Sequence, residues 1–292
     1  MAATRPIAGR LPWNDTKGHL SPLKTSVLVL VSLPMVWLSY RAVFLGLGGR
    51  PITEAIHRVG DWTIYLLLIT LAVSPARRLF NLPKLIQVRR MLGIAALTYI
   101  VAHFLLFILD SKFDLIFVSK EIVLRFYLTI GFVALLGLIA LGVTSTDSMI
   151  KRLGGARWNR LHKLIYFIMP LAILHYYLQS KVDVSQPVIM SGIFFWLMGY
   201  RLMSRYGYKE GLMPLALLSV AAALLTVIVE ATWYELMTGI GGWRVLNANL
   251  SMAVGVRPTW WVLAAGLAVT AAAEIRRRLR PAGAGRRQPA AA

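Results

Sequence analysis

The sequence contains no cysteine among its 292 residues. That excludes disulfides, thiolate metal sites, iron–sulfur clusters and heme attached through a C-x-x-C-H motif. Acidic residues are nearly as scarce, with 12 Asp+Glu against 32 Lys+Arg and a formal charge of +20. Charged residues make up only 15% of the chain, where a soluble domain carries about 25%. No polar stretch is long enough to form a soluble domain, and no internal repeat is visible. What fills the chain instead is apolar: 58% of residues are hydrophobic and the mean hydropathy is +0.65. A nucleic-acid binder must display its positive charge on a soluble surface. Greasy bulk with a basic excess points to a multi-span membrane protein whose basic loops lie on one side.

A bilayer core about 30 Å thick takes roughly 20 apolar helical residues to cross. The candidate spans are 23–45, 58–76, 91–109, 122–143, 161–179, 187–203, 211–231 and 258–273. This predicts an all-α polytopic bundle of about eight spans. The second candidate is the least clean, with its apolar run only from Trp62 to Val73, and the sixth is short. The first follows a basic lead-in but no small-residue cleavage site follows it, so it reads as a retained span. Eight spans put both termini on one side, and the charges agree. Segments 1–24, 77–90, 144–163, 200–210 and 274–292 hold 23 basic and 4 acidic residues, and the remainder 9 and 8. By the positive-inside rule both termini are cytoplasmic. The basic excess is therefore mainly an orientation signal. The expected organisation is a lead at 1–22, a six-span core at 23–205, two further spans at 206–275 and a basic, disordered tail at 276–292. Residues 231–257, rich in glycine, read as an outer-face loop with room for an interfacial helix.

Ionisable residues inside spans are costly, which makes each a functional candidate. His19 lies in the polar lead and carries no role, and His57 sits at the outer end of the second span, where a plain structural role is the simpler reading. His103 lies about 18 Å along the third span and His175 about 21 Å along the fifth, both running outward at about 1.5 Å per residue. Two histidines on different helices at one depth are what a bis-imidazole heme requires. His162 stands at the cytoplasmic mouth of the fifth span, 13 residues before His175, suiting an inner site. An ideal helix would set those two side chains some 220° apart, and Pro170 between them could alter the phase. The inner site has no evident second histidine, because Arg89 and Arg90 occupy the matching stretch of the third span. Imidazole also suits zinc or copper, and a membrane histidine can simply bond across helices. A proton relay would want intramembrane carboxylates, and no acid is expected deep in a span. The basic clusters Arg77/Arg78, Arg89/Arg90 and Lys151/Arg152/Arg157 serve as topology and lipid-headgroup contacts. Arg77, Arg89 and Arg90 are also candidates for heme propionates or a flavin phosphate. Tyr166, Phe167, Tyr176 and Tyr177 are placed to flank a heme.

The passages SPARRLFNLPKLIQVRRMLGIAALTYIVAHFLL, SKEIVLRFYLTIGFVALLGLIALGVTST, LGGARWNRLHKLIYFIMPLAILHYYLQSK and QPVIMSGIFFWLMGYR carry a family signal. Its most specific parts are RR-x-LG entering the third span, TST ending the fourth and W-x-x-LH-x-x-x-Y opening the fifth. Over about residues 50–205 the chain resembles the heme-binding membrane subunit of the periplasmic methionine sulfoxide reductase system (MsrQ/YedZ), in the ferric-reductase-like transmembrane group. The resemblance implies b-type heme, one or two per chain, with His103, His162 and His175 as axial ligands, and it implies FMN. It further implies a bacterial inner-membrane location. Electrons would come from the quinone pool or a cytosolic flavin donor. They would pass to a periplasmic molybdenum-cofactor catalytic subunit, in a heterodimer that repairs oxidised envelope proteins. The chain itself would then be an electron-transfer subunit rather than the site of substrate reduction. Residues 211–273 depart from the family's six spans. Competing readings are a direct ferric or cupric reductase and a non-redox membrane anchor or transporter.

Overall fold

The computed structural model describes residues 11–15, 18–180, 183–208, 210–251 and 255–279. The tail from Arg280 onward and residues 1–10 of the lead lie outside the described residues. Every regular element among the described residues is helical, as a chain with no water to satisfy its backbone requires. The chain is a multi-pass membrane protein. The helices are α1 Pro22–Tyr40, α2 Pro51–Leu79, α3 Arg89–Asp110, α4 Leu115–Leu124, α5 Phe126–Val143, α6 Asp147–Leu153, α7 Gly155–His162, α8 Ile165–Ser180, α9 Ser185–Arg205, α10 Leu212–Thr238, α11 Gly242–Leu250 and α12 Pro258–Arg278. A π-helical turn, Arg41–Leu45, continues α1, and a 3₁₀ turn, Pro83–Val88, leads into α3.

Local chemistry sets the boundaries. Proline opens α1, α2 and α12, where its missing N–H costs nothing. Asp114 caps α4 by accepting from Phe117 N, and Thr146 caps α6 by accepting from Met149 N. Gly239 ends α10 in the left-handed region at φ 72°.

Among the described residues, seven helices are long and apolar enough to cross a membrane. A 21-residue helix, α9, occupies the place of the expected sixth span, but it is not among those seven. The second, least clean candidate is a continuous 29-residue helix. The fourth begins at Phe126 rather than 122, because Arg125 is extended and separates it from α4. The fifth is interrupted at Lys163–Leu164, between α7 and α8, while Pro170 lies within an unbroken α8. Of the stretch 231–257 expected as a loop, residues 231–238 instead continue α10, and the short helix α11 follows.

The chain forms two compact units, 1–73 with 84–181, and 74–83 with 182–292. In the first, α5 packs on α8 and α3. In the second, α9, α10 and α12 pack together with α11. Small residues allow that approach: a Cβ on Gly192 would fall 2.3 Å from Thr226 Oγ1, and one on Gly266 would fall 2.6 Å from Ser219 Oγ. Ser219 donates to Leu215 O and accepts from Trp196 Nε1. One expectation is corrected here. Glu230 lies within α10, eight residues from its end, and is 1% exposed, so an acid does sit inside a span. It is tolerated because Arg257 Nη2 at 2.5 Å and Asn249 Nδ2 at 2.9 Å donate to its two oxygens.

Candidate heme site

The sequence of α3 puts His103 two turns short of its C-terminal end, and α8 puts His175 five residues short of its own. The structure brings the two together. Their ring centroids are 6.4 Å apart and their planes stand at 89°. Each ring is held by a backbone carbonyl on a third helix. His103 Nδ1 lies 2.8 Å from Ile56 O on α2, and His175 Nδ1 lies 2.7 Å from Tyr127 O on α5. A carbonyl only accepts, so both Nδ1 atoms carry the proton and both Nε2 atoms keep a lone pair. This is how proteins orient a histidine for metal ligation.

The spacing fits a shared metal. Two imidazole–metal bonds of about 2 Å, plus about 1.1 Å from each nitrogen to its ring centre, set collinear centroids about 6.2 Å apart. Two glycines make the rings' seats. A Cβ on Gly60 would lie 3.0 Å from His103 Nδ1, and one on Gly131 would lie 2.7 Å from His175 Nδ1. Tyr127 tilts over His175 with centroids 6.2 Å apart. None of Ile56, Gly60, Tyr127 and Gly131 was singled out in the sequence. The available signal was a glycine inside an apolar helical run, which marks a close approach.

The other candidates are placed differently. His162 stacks on Trp158 at 3.9 Å, with Nδ1 3.1 Å from Trp158 O and Nε2 3.2 Å from Ser145 Oγ. Both its nitrogens are engaged, unlike those of His103 and His175. His57 lies near Gln179, with 3.4 Å between Nε2 atoms. Arg90 is bonded to the Asp147 carboxylate. Arg77 has a buried Nε with no acceptor among the described residues. Of the expected flanking aromatics, Tyr177 is buried and Phe167 exposed. No group of three or more His, Cys, Asp or Glu side chains placed to hold a metal ion occurs among the described residues.

Residues 59–173, which include His103, His162 and Gly131, match the family described as "Ferric reductase like transmembrane component". The protein-methionine-sulfoxide reductase heme-binding subunit MsrQ of Caulobacter vibrioides is 40% identical over 169 residues, which is 58% of this chain and 80% of that protein. Its counterpart from Rhodospirillum rubrum is 42% identical over 180 residues, covering 61% of this chain and 86% of the relative. The Herminiimonas arsenicoxydans protein is 41% identical, covering 63% and 85%. No solved structure matches the chain.

Proposed function

The chain belongs to the family of protein-methionine-sulfoxide reductase heme-binding subunits, and on that footing we propose that His103 and His175 ligate b-type heme in an electron-transfer subunit. The observation that carries the reading is the pair of imidazoles, 6.4 Å apart, each with Nδ1 tied to a carbonyl and Nε2 left for iron. Bound heme supplies one-electron redox chemistry. The chain's own part is to hold both rings in one tautomer and orientation, which also raises their basicity as ligands. Gly60 and Gly131 leave room for the rings to sit flush against α2 and α5.

In this proposal both termini face the cytoplasm of a bacterial inner membrane, since the basic excess lies at that end. Electrons come from the quinone pool or a flavin donor and leave at the outer face to a periplasmic molybdenum-cofactor partner that reduces methionine sulfoxide. Arg77, whose buried Nε lacks an acceptor among the described residues, suits a phosphate oxygen such as that of FMN. Arg89 remains a lesser candidate, and Arg90 would have to release Asp147 first. A role for His162 at an inner heme requires Ser145 to release its Nε2. The test is the absorption spectrum of purified protein with and without dithionite. A b-type heme signature is expected, and its absence after heme-sufficient expression would sink the proposal.

A further inference from the structure

A cavity of about 150 Å3 opens between α1 and the facing parts of α2 and α3, beside the His103 turn. Heme ligation does not account for its construction. Helix α1 carries no buried residue, yet it is pinned at one height. Pro34 removes a backbone donor from the helix. Next to it Tyr99 of α3 inserts its hydroxyl into the α1 ladder, donating to Val31 O at 2.7 Å and accepting from Met35 N at 3.2 Å. Two turns later α1 widens into the π-helical turn that begins at Arg41, a distortion common at functional sites.

The walls between these two distortions are chemically mixed. Trp37 and Trp62 supply indoles, while Arg41 and Arg58 supply guanidinium groups. Arg58 Nε is held 2.8 Å from Glu54. Arg41 has no carboxylate partner among the described residues. The mouth is flanked by side chains a membrane span turns toward lipid, with Trp37 57% and Val36 62% exposed.

The location matters most. Tyr99 precedes His103 by four residues and so shares its face of α3, about one 5.4 Å turn away. Val59 in the wall adjoins Gly60, against which the His103 ring packs, and Ile56 one turn earlier holds that ring by its carbonyl. A space of about this volume admits one benzene-sized ring. A phospholipid phosphate would use the arginines but not the ring-sized space whose lining includes two indoles.

We propose that this cleft seats the ring of a lipid-soluble quinol, with its oxygens toward Arg41 and Arg58 and its tail leaving into the bilayer beside α1. The proposal rests on the electron-transfer reading above and locates its donor. A quinol oxidised to its quinone releases two electrons and two protons. That matches the two electrons and two protons that convert one sulfoxide to a thioether and water.

The test uses the heme-loaded chain in lipid nanodiscs with decylubiquinol as reductant and an azido-ubiquinone as photolabel. Label is expected on peptides containing residues 34–41 or 58–62. Arg41→Gln and Trp62→Leu are expected to slow quinol-driven heme reduction at least tenfold, with heme content and the dithionite-reduced spectrum unchanged. Wild-type rates in both variants, or label confined elsewhere, would overturn the seat while leaving the heme reading intact. Loss of retained phosphatidylglycerol in Arg41→Gln with labelling unchanged would also overturn it, making the cleft an anionic-lipid site. A chain labelled at the cleft but devoid of heme would keep the seat and refute the electron-transfer reading.

Discussion

Gly131 on α5 faces the imidazole of His175 so closely that a Cβ there would fall 2.7 Å from Nδ1 and 2.8 Å from Cε1. That ring cannot yield easily, because Nδ1 is tied to Tyr127 O one turn earlier on the same helix. Gly131→Ala is therefore expected to displace the His175 ring and lower the heme-to-protein ratio of the purified chain several-fold. Gly137→Ala is the matched control on α5. There the added methyl meets Cδ1 and Cγ1 of Ile168 at 2.8 and 2.9 Å rather than a histidine, so heme content should be retained even if packing suffers. Equal heme content in the two variants would contradict the assigned seat.

The ligand pair makes its own prediction. His103→Ala and His175→Ala are each expected to lose most of the heme that the pair binds, whereas His57→Ala keeps it. The comparison is read by pyridine hemochrome assay on purified protein. Full occupancy in both of the first two variants would refute the pair.

The insertion of Tyr99 into the α1 ladder is testable without any ligand. Tyr99→Phe removes the hydroxyl that serves both Val31 O and Met35 N beside Pro34. Leaving such groups unmet costs about 1–3 kcal/mol. A lower thermal-unfolding midpoint in detergent is expected, and an unchanged one would show that α1 restores its own hydrogen bond.

Glu230 and Arg257 form the ion pair inside the second unit, with side chains 2% and 24% exposed. Breaking such a pair leaves a buried charge uncompensated, at about 3–5 kcal/mol. Arg257→Leu is expected to destabilise the chain strongly, and the double variant Glu230→Leu/Arg257→Leu less so. Thermal unfolding of the three proteins decides it. A double variant worse than the single one would show that the pair itself is net stabilising.

At the start of α6, the hydrogen bond and charge of Arg90 hold the Asp147 carboxyl below its ordinary value. A lowered folded value means that this stability is present above the unfolded carboxyl value, near about pH 4. It is lost as pH falls through the lower, folded one. Wild type should therefore exceed Asp147→Asn in thermal stability at neutral pH, with the gap closing on acidification below about pH 4. Asp147 is 77% exposed, so the gap should stay below about 1 kcal/mol. A gap that widens on acidification would reverse the assigned sign.

Much of this protein was legible in one dimension. A span is a run of apolar residues whose length is set by bilayer thickness, and side preference is set by lysine and arginine in the loops, so both are properties of sequence. His103 and His175 could be matched in depth for the same reason, since helical rise converts residue number to height. Height says nothing about which face a side chain takes or which helices adjoin. The 6.4 Å approach of the two rings, the carbonyls of Ile56 and Tyr127 that orient them, and the glycine seats that admit them depend on α2, α3, α5 and α8 being neighbours. So does the burial of Glu230, which sequence placed at a span end and which Asn249 and Arg257 enclose from distant parts of the chain. Composition and spacing determined that the chain crosses a membrane with paired imidazoles at one level. Only tertiary packing decided that those imidazoles approach to 6.4 Å with each Nδ1 tied to a carbonyl, because orientation is set by partners that the local sequence does not contain.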